Sequence, residues 1–105
     1  MQIAVSEDDV LPATVRVDVS GDVDARTAPA LDAILRRALD KRPPRVRLDL
    51  GAVDVVSAAG MTVLLQARHR SAALGVHLEV VDPPARMRRL VTSLGLVDAL
   101  GLPPA

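Results

Sequence analysis

The sequence predicts an α/β domain: a small mixed β-sheet with helices packed on one of its faces. Three segments alternate apolar and polar residues with period two, segments of helical period lie between them, and Gly or Pro marks the junctions. The order reads strand, strand, helix, strand, helix, strand, helix. Strands that follow helices usually pair in parallel through right-handed crossovers, which places the helices together and leaves the opposite sheet face to water.

Each element has its own signal. Thr14 to Ser20 sets Val15, Val17 and Val19 against Arg16 and Asp18, as a half-buried strand does, and Ile3 and Val5 suggest a shorter strand before it. Gly21-Asp22 breaks the run. Thr27, expected to supply a cap hydroxyl, and Pro29 open a helix that runs to about Asp40. Its apolar stripe is Ala28, Leu31, Ile34, Leu35, Ala38 and Leu39, with Asp32 and Arg36 paired at i,i+4 on the other face. After Arg42-Pro43-Pro44, Arg45 to Leu50 alternates again through Val46, Leu48 and Leu50. A short segment, Asp54 to Ser57, leads into a helix from Ala59 to Leu74 that begins apolar all round and ends with Gln66, Arg68, His69 and Arg70. Gly75 fits a left-handed C-cap, and Val76, Leu78 and Val80 form the last strand. Asp82-Pro83-Pro84 opens a final helix with the stripe Met87, Leu90, Val91 and Leu94, closed by Gly95. The apolar tail from Leu96 should dock on the body, with Pro103 and Pro104 free to fray. The expected core joins the strand valines and leucines to Leu31, Ile34, Leu35, Leu64, Leu65, Leu90 and Leu94.

The 105 residues suit one domain, 1–105. Half are hydrophobic and none is aromatic, so the core is aliphatic and the chain has no ring on which a nucleic-acid base could stack. A formal net charge of +0 gives no pull on phosphate backbones, and nucleic acid is not an expected partner. With no cysteine the chain has no disulfide, thiolate nucleophile or Cys-based metal site, and it suits a reducing compartment such as the cytoplasm. No apolar run approaches the ~20 residues of a membrane span, and Glu7, Asp8 and Asp9 stand where a signal peptide would be basic and apolar.

Catalytic patterns are missing. Ser57, His69 and Asp54 could suggest a triad, but there is no G-x-S-x-G, and a helix would hold His69 roughly 18 Å from Ser57 along its axis. His69 and His77 lack the spacing and the third ligand of a metal site. No phosphate-loop pattern surrounds Gly21, Gly51 or Gly60. Arg86, Arg88 and Arg89 read as the solvated face of an amphipathic helix. These features predict a protein-binding domain without enzymatic activity and without cofactor or metal. Val53 to Leu65 is distinctive: a strand enters a tight turn of small residues and leaves as a buried helix, so backbone amides around Ser57 to Gly60 gather at a helix N-terminus.

That segment, together with Gly21-Asp-Val-Asp-Ala-Arg-Thr-Ala28, resembles the STAS domain of anti-sigma factor antagonists. The family pattern G-[ED]-[LV]-D-x-x-T-A is met at Gly21, Asp22, Val23, Asp24, Thr27 and Ala28. Its D-S-S-G-L motif corresponds to Ser57-Ala58-Ala59-Gly60-Met61, and the resemblance extends from about Thr14 to Leu100. It implies a bacterial partner-switching regulator that binds an anti-sigma factor, often one with a histidine-kinase-like ATP-binding fold, and so releases a sigma factor. The alternative is an accessory subunit that docks on the ATPase of a lipid transporter. The partner surface is expected to join Asp22, Asp24 and Thr27 to Ser57, Ala58, Ala59, Gly60, Met61 and Thr62. In the family the kinase phosphorylates the hydroxyl residue just before the motif glycine. Here that residue is Ala59, which leaves either a constitutive antagonist, a domain with a different task, or Ser57 as a relocated phosphoacceptor.

Overall fold

The computed structural model describes residues 1–8 and 13–102. Four strands, β1 (Gln2–Asp8), β2 (Thr14–Val23), β3 (Arg45–Val56) and β4 (His77–Val81), form one mixed sheet in the order β1-β2-β3-β4. β1 and β2 run antiparallel, whereas β2, β3 and β4 are parallel. The crossovers are α1 (Ala28–Asp40) and α2 (Ala58–Leu74), and α3 (Ala85–Ser93) and the short α4 (Val97–Leu100) follow β4.

The period-two pattern decides what the sheet buries. Val15, Val17, Val19, Val46, Leu48, Leu50, Leu78 and Val80 face the helices and meet Leu31, Leu35, Leu39 and Leu64 in one apolar cluster, with Val76 just ahead of β4. Ile34 and Leu65, also expected there, are half-buried against its margin. The other sheet face carries Arg16, Asp18, Arg45, Arg47, Asp49, His77 and Glu79, as the alternation predicts. Gly75 ends α2 at φ 70°, the left-handed conformation that a residue without Cβ adopts freely, and its N–H bonds back to the last turn. Arg36 pairs with Asp32 at 2.9 Å, while Arg70 reaches across to Asp40 at 2.7 Å and ties α2 to α1. Exposed pairs of this kind contribute about 0–1 kcal/mol each, so the apolar cluster does most of the holding.

The structure departs from the sequence expectation in three places. β3 does not stop at Leu50; after a register shift at Gly51-Ala52 it continues to Val56 with β2 alone beside it, because β2 also runs on to Val23 while β4 ends opposite Asp49. In α3 only Met87 and Val91 are buried, and Leu90 and Leu94 are 48% and 58% exposed. This nine-residue helix presses a narrow stripe on its neighbours, and the tail fills the core instead: α4 packs against α2, burying Leu100 and Leu102. Docking of the tail was expected, its helical form was not, and Pro103 and Pro104 lie outside the described residues. The third departure, at Thr27, belongs to the site.

Candidate functional site

β2 and β3 project together at their C-terminal ends, and the two segments singled out in the sequence leave from these ends. Val23 pairs with Val56, and the Ser57 N–H donates to the Val23 carbonyl at 2.8 Å. Ser57, which starts α2, is thereby fixed beside the loop that starts α1.

The first segment is a self-tied turn. Gly21, at φ 86°, lets β2 kink through a register shift before Val23 re-enters the core. The Asp24 carboxylate then accepts from the N–H groups of Arg26 at 2.9 Å and Thr27 at 3.2 Å. These two bonds, Arg26 first, hold the Asp24 carboxyl below the usual carboxylate range against an opposing desolvation, with smaller help from the Arg26 charge and the Thr27 hydroxyl. The Thr27 hydroxyl accepts from Asp24 N–H at 2.9 Å and donates to the Asp22 carbonyl at 3.0 Å. It does not cap α1, contrary to expectation. Thr27 has α-region backbone angles, and the second helical residue, Pro29, has no N–H to offer, so the hydroxyl turns back to close the loop.

The second segment is a close-packed helix start. Ser57 has the extended backbone of an N-cap (φ −77°, ψ 175°), and its hydroxyl accepts a long bond from Gly60 N–H at 3.4 Å. Ala58 and Thr62 are exposed, and Thr62 donates to the Ala58 carbonyl at 3.0 Å. Ala59 is half-buried, whereas Gly60 and Met61 are buried. A Cβ on Gly60 would stand 2.8 Å from Val23 Cγ1 and 2.9 Å from Val56 Cγ1, so α2 rests directly on the paired strand ends. The available surface thus comes from Asp22, Asp24, Thr27, Ser57, Ala58, Ala59 and Thr62, and Gly60 and Met61 set its shape from beneath. Val55, 41% exposed and next in chain to Val56, is an apolar side chain open to solvent near these strand ends; the sequence signal for it was the Val53-Asp-Val-Val56 run, whose β-branched residues continue past the end of β4.

Among the described residues no group of three or more His, Asp and Glu could hold a metal ion. His69 and His77 are exposed on separate elements. The unbroken α2 keeps His69 three turns from Ser57, and the hydroxyl of Ser57 bonds to Gly60 N–H. A groove of about 510 Å³ lies over the later turns of α1 and α2, walled by Leu35, Leu39, Leu65 and His69, not at this site. Among the described residues no helix is long and apolar enough to cross a membrane.

Comparison with known proteins fits this geometry. A family profile described as "Mlab, STAS domain" matches residues 6–103. The fold superimposes on an anti-sigma factor antagonist from Mycobacterium paratuberculosis with a TM-score of 0.80 and 27% identity, over 99% of this chain and 87% of that one. It is also similar to the phosphorylated form of the Bacillus cell fate determinant SpoIIAA (TM-score 0.70, 16% identity, 97% and 91% covered). A sulfate transporter family protein from Wolinella succinogenes shares the fold as well (TM-score 0.71, 22% identity, 84% and 71% covered). Comparison with curated protein sequences gave no match.

Proposed function

The chain belongs to the STAS domain family, and on that premise we propose that it is an anti-sigma factor antagonist acting in the bacterial cytoplasm. It binds an anti-sigma factor, of the histidine-kinase-like type, and so frees a sigma factor for transcription. The supporting observation is the bond from Ser57 N–H to the Val23 carbonyl, which holds the Asp22–Thr27 turn and the start of α2 as one rigid surface. Loops on a rigid scaffold suit a partner that must dock without unfolding either side.

The family's switch works by placing nearly two negative charges inside such an interface. Ala59 has no oxygen to accept a phosphoryl group, and Ser57 stands two residues earlier, at the cap of α2 and away from the family's acceptor position. The protein therefore stays binding-competent in the presence of ATP and a cognate kinase. Mass spectrometry of wild type, Ser57→Ala and Ala59→Ser after incubation with partner and ATP tests this. Wild type should remain unmodified and Ala59→Ser should gain phosphate; modification of wild type that vanishes in Ser57→Ala would make Ser57 the acceptor.

A second reading, an accessory subunit on a transporter ATPase, draws on the description of the matched profile and on the fold shared with the sulfate transporter family protein. Affinity capture from native cells, with and without ATP, separates the two. Recovery of a soluble kinase-like protein supports the antagonist, and recovery of a membrane transporter complex refutes it.

A further inference from the structure

The sheet face turned away from the helices carries charges that are only partly paired within the chain. Arg16 on β2 lies directly across from Arg47 on β3, and Asp18 lies directly across from Asp49. Neighbouring strands are about 4.8 Å apart, and residues two apart on one strand are separated by about 6.6 Å. Between β2 and β3 two like-charge pairs thus run side by side across the centre of the face, each of a kind that disfavours strand pairing, while on β4 Glu79 stands across from Arg47 and Val81 across from Asp49. Among the described residues none of the four joins an ion pair; the one on this face is Arg45 with Glu79, at 3.7 Å. Asp49 accepts only from Gly51 N–H, and Arg47 Nε is buried without a hydrogen-bond partner.

Two rows of opposite sign complement each other under rotation. A two-fold axis lying in the face, perpendicular to the strands and passing between the rows, places β2 over β2 and β3 over β3 of a second copy. Arg16 then stands over the second copy's Asp18 and Arg47 over its Asp49, and the symmetry repeats both contacts. We propose that this face is a self-association surface on which two copies of the chain meet sheet to sheet through these four ion pairs. A shallow basin of about 480 Å³ over Ala4, Asp18, Ser20 and Ala52 is where an incoming Arg16 is received. A polymer of single charge sign is a poor fit, since one row repels whatever the other attracts. In projection the face spans roughly 19 Å by 20 Å from strand spacing and rise, less than the ~800 Å² per partner of a standard interface, so the dimer is weak and salt-sensitive. The face lies opposite the helices and leaves the Ser57 surface free for its own partner, so the inference is independent of the proposed function.

Sedimentation equilibrium from micromolar to millimolar protein at low salt tests it. The mass average should rise towards twice the monomer and fall back to monomer at about 1 M salt, where the Debye length is ~3 Å. An all-cation variant (Asp18→Arg with Asp49→Arg) and an all-anion variant (Arg16→Asp with Arg47→Asp) should each be monomeric, and an equimolar mixture should heterodimerise. If either fails to fold by circular dichroism, the variant exchanging both rows, which keeps the balance of charge, should self-associate like wild type. A wild type that stays monomeric throughout, or charge variants that associate equally well alone, overturns the proposal.

Discussion

Gly60→Ala tests how tightly α2 is seated on the strand ends. The added methyl would enter at 2.8 Å from Val23 Cγ1, 2.9 Å from Val56 Cγ1 and 3.2 Å from the Val23 carbonyl oxygen. Both valines are β-branched and stiff at χ1, and Val23 is 1% exposed. The carbonyl is held by the 2.8 Å bond from Ser57 N–H, so these atoms can give way only if α2 lifts off the sheet. Overpacking of this kind costs about 1–3 kcal/mol, and replacing a helical Gly by Ala returns about 0.5–1 kcal/mol. From the middle of both ranges the balance is a loss of about 1 kcal/mol, which for a domain of this size lowers Tm by roughly 4–8 °C. With no Trp or Tyr in the chain, urea unfolding followed by far-UV circular dichroism is the suitable assay. An unchanged or raised midpoint would show that α2 has room to shift and that the paired surface is not rigid. Because the same shift separates Ser57 from Val23, partner affinity should fall with stability.

Three other outcomes follow from the geometry. Leu48→Ala, at a position with 0% exposure in the central strand, should cost about 2–5 kcal/mol in the same unfolding assay. Ala58→Arg, on the exposed first turn of α2, should leave the midpoint within about 0.5 kcal/mol of wild type while weakening capture of the partner at least about tenfold; intact affinity moves the interface away from α2. This substitution is a cleaner probe than Asp24→Lys, which would also untie the turn held by the Asp24 carboxylate. Folding favours the charged form of Asp24, so its contribution to the turn is present above the ordinary aspartate range, near pH 4, and fades as pH falls through its lowered native value. In a carboxyl-carbon NMR titration Asp24 should titrate below the ordinary aspartate value near pH 4, and an equal or higher midpoint contradicts the bonding described.

The strands and crossover helices were legible because burial on one face imposes a period that composition cannot hide: Val15, Val17 and Val19 or Val46, Leu48 and Leu50 admit one reading. Periodicity is blind to what a neighbour allows. It could not tell that β3 runs past Leu50, since that depends on β2 still being beside it, nor that Leu90 and Leu94 are left outside while Leu100 and Leu102 take up the core. Of the site, Ser57 as a cap was readable from turn chemistry, and the meeting of two chain segments from the family resemblance and the gathering of strand-to-helix junctions at one end of an α/β layer. The Thr27 hydroxyl was misjudged because its α-region backbone, which the sequence does not show, and the missing N–H of Pro29 turn it from capping α1 to closing the loop. Val55 was passed over because a valine in a strand reads as core until the sheet around it is known to have ended.

β1 has a consequence for the chain's solubility. It pairs antiparallel with β2 and touches the sheet along that strand alone, with Val5 half exposed opposite Val17. If it peels away, β2 offers a row of open N–H and C=O groups flanked by Val15, Val17 and Val19, a template for pairing with another chain. β1 is therefore a guard strand: it adds little to the core and keeps a strand with a fully apolar inner face from being an edge. Variants truncated before Asp8 should reveal its role first as aggregation, ahead of any loss of partner recognition at the far ends of β2 and β3.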